Sequence, residues 1–125
     1  MNVRDATAED AAALDALADD DLDAARLVRD RTVRVADDDG DLAGFVAFDA
    51  GRGAVHVTRL AGNPETVAAL LEGPREFAAH ERLPVEVVLD EGDALADVLA
   101  DEGFEDAGAG PRFDGARTRR YRWEP

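Results

Sequence analysis

Hydrophobic and polar residues alternate along several short segments of the chain, and this period of two predicts strands. Elsewhere apolar residues recur every three or four positions, which predicts helices. Strands are expected at residues 2–6, 32–36, 41–48, 55–60, 85–89 and 117–123, with one more between Phe104 and the last of these. Helices are expected after Thr7, at residues 22–29, from Pro64 to Arg82 and after Asp93.

Local signals relate these elements to one another. Asp39-Gly40 between two apolar alternations predicts a hairpin. Residues 42–48 are apolar on both faces, so we expect a central strand that is covered on both sides. Gly73-Pro74 is expected to split the long helix after Glu72. Because the strand at 85–89 follows that helix, it should lie parallel to the strand at 55–60 through a right-handed crossover.

The predicted order is strand, helix, helix, three strands, helix, strand, helix and two strands. This order predicts an α+β fold, an α/β three-layer sandwich whose mixed sheet of six or seven strands carries helices on both faces. A chain of 125 residues suits one domain, so we assign residues 1–125 to it.

Charge is the main compositional feature, with 29 acidic residues against 14 basic ones and a net charge of −15. Every basic residue is arginine, and the chain has no Lys, Cys, Ser, Gln or Ile. This composition resembles that of proteins from salt-accumulating halophilic archaea. Like charges at this density repel one another in dilute buffer, whereas about 1 M salt shortens the screening length to roughly 3 Å. We therefore predict a fold that requires salt.

The same composition excludes several kinds of partner and site. A strongly acidic surface argues against a nucleic-acid partner, and the lack of cysteine excludes thiol chemistry. No apolar run approaches the roughly 18 residues of a membrane span, and no signal segment opens the chain, so a cytoplasmic protein is expected. We interpret Asp19, Asp20, Asp21 and Asp23 as a solvated helix junction, and no metal site is expected.

The junction between the strand at 55–60 and the helix from Pro64 is the first candidate site. Unpaired amides at a helix N-terminus attract a phosphate or a carboxylate. Asn63 followed by Pro64 is equally typical of an ordinary helix cap with proline at its first position. The residues alone leave both interpretations open.

Three segments in the correct order resemble the GNAT superfamily of acyl-CoA-dependent N-acetyltransferases. Residues 3–10 are similar to its first strand and helix start, residues 41–46 to its third strand, and residues 102–105 to the Leu-Gly-Phe-Glu that often ends its last helix. The resemblance implies the fold predicted above, acetyl-CoA as cofactor, and fourth and fifth strands that splay to hold pantetheine.

In that family the fourth strand leads into a loop of the form Arg/Gln-x-x-Gly-x-Gly/Ala, whose amides surround the coenzyme A diphosphate. Residues 60–65 resemble the segment that enters this loop and residues 68–71 the helix after it, but the arginine and both glycines are missing between them. The resemblance implies a shortened loop. The cofactor-binding candidates are Leu60, Ala61, Gly62, Asn63, Glu65, Thr66 and Val67.

Groups for proton transfer are few. His56 lies on the fourth strand, from which the family usually draws its base, and period two places His56, Thr58 and Leu60 on one face with Val55, Val57 and Arg59 on the other. His56 is therefore the catalytic candidate, with a structural histidine as the alternative, while His80 is expected at the surface. Glu86 is an alternative base or an edge residue.

Members of the family often have a tyrosine in the last helix, and this tyrosine is the acid that protonates the departing thiolate. Leu99 occupies that position here. Tyr121, the only tyrosine, lies on the last predicted strand, and its ring is expected in the hydrophobic core. The arginines at 117, 119, 120 and 122 either attract an acidic ligand or pair with carboxylates at a terminal sheet edge.

Two functions follow from the resemblance. One is acetyl-CoA-dependent transfer of an acyl group to a small-molecule or peptide amine. The other is a catalytically inactive GNAT-fold binding or regulatory module that has lost the diphosphate loop. A homodimer that exchanges the final strand is possible in either case.

Overall fold

The described residues of a computed structural model, 1–17, 23–112 and 115–125, form a seven-stranded sheet with helices packed on both faces. The strands are β1 Asn2–Asp5, β2 Thr32–Asp38, β3 Asp41–Gly51, β4 Ala54–Ala61, β5 Val85–Asp90, β6 Glu105–Ala109 and β7 Thr118–Trp123. The helices are α1 Ala11–Leu17, α2 Ala24–Asp30, α3 Pro64–Leu70, α4 Glu72–Glu81 and α5 Leu95–Asp101, and a 3-10 turn, Ala8–Asp10, precedes α1.

The sheet order is β1-β2-β3-β4-β5-β7-β6, and β4 and β5 are its parallel pair. The hairpins β2-β3 and β3-β4 form the antiparallel meander that the turn signals predict, and α3 and α4 cross from β4 to β5. The predicted mixed sheet of the three-layer sandwich is therefore confirmed.

Several element bounds differ from the predictions. The second predicted helix begins at Ala24, where the Asp23 side chain accepts a hydrogen bond from the Arg26 amide at 3.1 Å. The long helix divides at Leu71, because Pro74 fits into the first turn of α4, where the amide that it lacks has no helical acceptor. Asp19, Asp20 and Asp21 lie outside the described residues.

Helices cover both faces of β3, which confirms its central position. Val46 and Phe48 pack into a cluster with α3 and α5, whereas Phe45 and Ala47 pack with α1 and α2 on the opposite face. Alternate residues of one strand thus enter two separate cores, which explains why residues 42–48 are almost continuously apolar.

The helices α1 and α2 pack over β3 and β2 respectively. Farther along the same face, His56, Glu86 and Arg122 lie in register on β4, β5 and β7.

Across the described ranges, no helix is long and apolar enough to span a membrane.

Candidate active site

A cleft opens where β4 and β5 separate. Their parallel register runs from Val55 opposite Val85 to Val57 opposite Val87 and ends there. Beyond that point β3 still pairs with β4 and β7 still pairs with β5, so each strand continues beside its other neighbour. The cleft has a volume of about 180 Å³. It is lined by Val57, Thr58, Arg59, Leu60, Val87, Val88, Leu89, Asp90, Asp93 and Leu95.

A β-bulge in β4 lies at the point of separation. Val57 pairs with Phe48 and Arg59 pairs with Ala47, so Thr58 has no opposite residue on β3. The Thr58 hydroxyl donates instead to the Ala47 carbonyl at 3.2 Å. A bulge bends its strand and leaves one residue out of the ladder, which suits a strand that leaves its parallel neighbour.

The bulge also corrects the predicted faces of β4. The strict period of two placed Leu60 with His56 and Arg59 with Val57, but Leu60 packs against the same core cluster as Val55 and Val57. The extra residue in the strand reverses the alternation after Thr58. Arg59 therefore lines both the cleft and a second cavity beside α2.

The start of α3 uses most of its own amides. The Asn63 side chain accepts a hydrogen bond from the Thr66 amide at 2.9 Å, and the Asn63 carbonyl accepts one from the Val67 amide at 2.9 Å. Pro64 has no N–H. Within the first turn of α3, the Glu65 amide thus has neither a capping nor a helical acceptor. The ordinary helix cap, one of the two interpretations left open above, is present.

Close packing accompanies this cap. Thr66 and Val67 are 3% and 0% exposed, and both of their amides donate to Asn63, so neither residue presents a group to a ligand in this conformation. A Cβ added to Gly44 would overlap the Ala61 carbonyl oxygen and lie 2.8 Å from the Thr66 Cγ2 atom. The corner between β4 and α3 is therefore filled by Thr66 and requires glycine at position 44.

The structure does not bring His56 into the cleft. His56 is exposed, lies opposite Asp49 and Glu86, and precedes the separation of the strands. A Cβ added to Gly51 would be 2.7 Å from the His56 Cδ2 atom, so the ring lies over the turn between β3 and β4. Thr58, which lies two residues after His56 and lines the cleft, is about 7 Å farther along the strand.

Other candidates from the sequence have structural roles. Leu99 is fully buried in the core cluster with α3, and Tyr121 packs against the same cluster. Glu86 lies near the guanidinium groups of Arg120 and Arg122, at 3.9 and 3.8 Å.

Arg119, Arg120 and Arg122 lie near carboxylates, as one of the two alternatives predicted, but the expectation that their strand is a terminal edge is wrong. The strand β7 lies between β5 and β6, and β6 forms that edge of the sheet. The final strand, β7, is therefore paired on both sides and is not an edge strand, as the prediction of exchange between subunits had assumed.

Of the residues that line the cleft, sequence reasoning proposed only Leu60 as a site residue and missed the others, which are Val57, Thr58, Arg59, Val87, Val88, Leu89, Asp90, Asp93 and Leu95. The cleft itself was predicted only by the family resemblance, which implied that the fourth and fifth strands separate. The bulge had no local signal, because it is a register shift between two strands.

Comparisons with known proteins support the fold. No protein-family model matches the chain, and no curated protein does either. Ribosomal-protein-alanine N-acetyltransferase from Brucella melitensis matches with a TM-score of 0.78 at 17% identity, over 100% of both chains. IAA acetyltransferase from Bacillus cereus matches with a TM-score of 0.75 at 14% identity, over 99% of both chains.

PaiA N-acetyltransferase from Thermoplasma acidophilum, solved in complex with coenzyme A, matches with a TM-score of 0.76 at 12% identity, over 99% of this chain and 98% of that one. At such low identities the likeness is one of fold alone. The fold is that of the GNAT acetyltransferases, and the separation of β4 and β5 opens one of the cavities in the described part of the chain.

Proposed function

We propose that this protein transfers an acyl group from acetyl-CoA to an amine. The observation that carries the proposal is the separation of β4 and β5 after Val57 and Val87. It leaves two strand edges facing each other across the cleft. An extended pantetheine arm carries amide groups that pair with such edges as an added strand does.

The transfer needs an oriented amine and a stabilised oxyanion. The amine nitrogen attacks the thioester carbonyl, a C–N bond forms, and the C–S bond breaks as the thiol leaves with a proton. Backbone N–H groups around the bulge at Thr58 are the candidates for oxyanion donors, because a bulged residue lies outside the regular ladder. Orientation of the amine beside the thioester supplies rate without a dedicated acid.

His56 remains the candidate base from the sequence. Its ring would have to rotate away from Gly51, or act through water, to reach an amine in the cleft. In the last helix Leu99 supplies no acid, so the departing thiolate takes its proton from the attacking ammonium or from solvent.

The residues predicted to bind the cofactor divide into two groups. Leu60 lines the cleft and suits the pantetheine arm. Beyond it, Ala61, Gly62, Asn63, Glu65, Thr66 and Val67 form the corner, where the Glu65 amide is the available donor of the first helical turn. Acetyl-CoA is thus proposed to be held mainly by its arm and weakly by its diphosphate.

A GNAT-fold binding module without catalysis is the second candidate. The capped start of α3 and the buried Leu99 favour it, because both remove groups that transfer would use. Binding of acetyl-CoA without turnover of any amine would identify this function.

The test is calorimetric titration with acetyl-CoA in multimolar KCl, with thiol release measured over a panel of amines. Thr58→Trp fills the cleft and should raise the Kd at least tenfold, whereas Thr32→Trp, on the exposed start of β2, should leave it within twofold. Thermal unfolding of both variants confirms that they fold. No affinity in the parent protein, or equal losses in the two variants, would reject the cleft as the cofactor site.

A further inference from the structure

Described residues at the end of β6 and the start of β7 border a further cavity, of about 330 Å³. Three arginines line it, Arg112, Arg117 and Arg119. We propose that this cavity binds an oxyanion of the acceptor, so that the acceptor is an amine that also carries a carboxylate or a phosphate. This inference rests on the proposed acyl transfer, and it specifies the chemical class of the acceptor amine.

Charge supports the oxyanion. Arg119 is held by Asp106, with two contacts of 2.8 and 2.9 Å from one guanidinium nitrogen. Arg112 and Arg117 have no hydrogen bond or ion pair in the described ranges, although acidic residues outnumber basic ones in the chain. Glu91 is the carboxylate among the lining residues, so two uncompensated guanidinium groups face one carboxylate.

The backbone around the cavity is fixed by hydrogen bonds. The Gly110 amide donates to the Thr118 carbonyl at 3.0 Å, and the Glu91 amide donates to the Arg117 carbonyl at 3.0 Å. The hydroxyl of Thr118, which is 3% exposed, donates to the Pro111 carbonyl. These bonds position the backbone that carries the arginines before any ligand arrives, which lowers the ordering cost of binding.

The cavity lies one strand away from the cleft. Thr118 and Arg119 pair with Asp90 and Leu89, and both of these β5 residues line the cleft. A Cβ added to Gly110 would be 3.4 Å from a methyl group of Val88, which also lines the cleft. Neighbouring strands are about 4.8 Å apart, so the cavity and the cleft are close to each other. An acceptor whose oxyanion binds at the arginines could place its amine in the cleft if its two groups are separated by roughly 10 Å or less.

Binding can be tested without activity. Backbone amide NMR signals are followed while inorganic phosphate or succinate replaces chloride at constant ionic strength. We expect signals of Gly110, Thr118 and Arg119 to shift, and the combined variant Arg112→Gln and Arg117→Gln to raise the Kd at least tenfold. Arg52→Gln is the matched control, since Arg52 is an exposed arginine in the β3-β4 turn without an ion pair in the described ranges, and it should change the Kd less than twofold.

Shifts confined to other parts of the chain, or equal losses in the arginine variant and the control, would overturn the anion site. A parallel titration with acetyl-CoA separates this failure from that of the proposed function. Phosphate binding at the arginines without acetyl-CoA binding rejects the acyl transfer and leaves the anion site. Acetyl-CoA binding that the arginine variant weakens tenfold assigns the cavity to the cofactor phosphates and overturns the acceptor role.

Where turnover is measurable, amino acids are compared with the amines that lack their carboxylate. The arginine variant should raise KM for the carboxylate-bearing acceptors about tenfold with kcat unchanged, and it should leave KM for the other amines unaltered. The same KM for both classes in the parent protein would contradict the proposal.

Discussion

Replacing Asp10 by asparagine should destabilise the fold at neutral pH and have little effect near pH 2. The Arg4 guanidinium donates to both Asp10 carboxylate oxygens at 2.9 and 3.0 Å and to Asp37 at 3.1 Å. Asp10 also accepts the Thr7 amide at 2.8 Å. This group of contacts connects β1, the 3-10 turn and the end of β2. The Arg4 guanidinium, with the Thr7 amide, lowers the pKa of the Asp10 carboxyl to about 2.

The lowered pKa sets the size and the sign of the effect. An ordinary aspartate has a pKa of about 3.9, and each unit is worth about 1.4 kcal/mol, so the upper limit is about 2 to 3 kcal/mol. The Arg4 side chain is 34% exposed, and solvent screening reduces this to about 1 to 2 kcal/mol. Since the folded pKa is depressed, the stabilisation is present above about pH 4 and is lost as the pH falls towards 2.

The assay is thermal unfolding followed by circular dichroism from pH 7 to pH 2, at a fixed KCl concentration that supports the fold. Asp10→Asn should lower Tm by on the order of 5 °C at pH 7, and the difference from the parent should shrink at pH 2. Asp38→Asn is the control, because Asp38 lies exposed in the same region without an ion pair in the described ranges. An equal loss for both variants, or a loss for Asp10→Asn that stays constant with pH, would refute the reasoning.

Three further outcomes are expected. Tm should rise steeply between 0.1 and about 3 M KCl because screening relieves the net charge of −15, and dispersed amide NMR signals in low-salt buffer would contradict a salt-requiring fold. In denaturant unfolding, Gly44→Ala should lower the free energy of unfolding by about 2 kcal/mol or more, because the added Cβ meets a backbone carbonyl. Gly51→Ala should lower it by less, because there the added Cβ meets the His56 ring, which can move. Equal losses for the two variants would refute the packing argument. If His56 is the base, His56→Ala should remove the acidic limb of the pH–rate profile, and an unchanged profile excludes it.

The sequence predicts those parts of the fold whose signals are local. The hairpin at Asp39-Gly40, the doubly covered strand at 42–48 and the parallel crossover each follow from a turn motif, a periodicity or a connection length, and each is present. The bulge at Thr58 follows from none of these. It is a property of the pairing between β4 and β3, and it reverses the alternation of faces after Thr58, so the predicted faces of Leu60 and Arg59 are wrong.

The candidate site shows the same division. A helix cap at Asn63 is visible in the sequence because its chemistry is contained within four residues, and the structure has it. The packing of Thr66 against Gly44 joins residues far apart in the chain, and only the folded structure shows that the corner is filled. Likewise, within the described ranges Arg119 pairs with Asp106, whereas Arg112 and Arg117 at the same cavity have no ion pair, a difference that composition alone does not show.

The filled corner leads to a prediction about how acetyl-CoA is recognised. In the described structure, the cleft between β4 and β5 is open while the first turn of α3 offers one amide, that of Glu65, to a diphosphate. Most of the binding free energy should therefore come from the pantetheine arm. We expect S-acetylpantetheine, which lacks the nucleotide and the diphosphate, to bind within about tenfold of acetyl-CoA, or within about 1.4 kcal/mol. A loss of a hundredfold or more would contradict this, and it would mean that the Asn63 cap opens on binding to release the Thr66 amide.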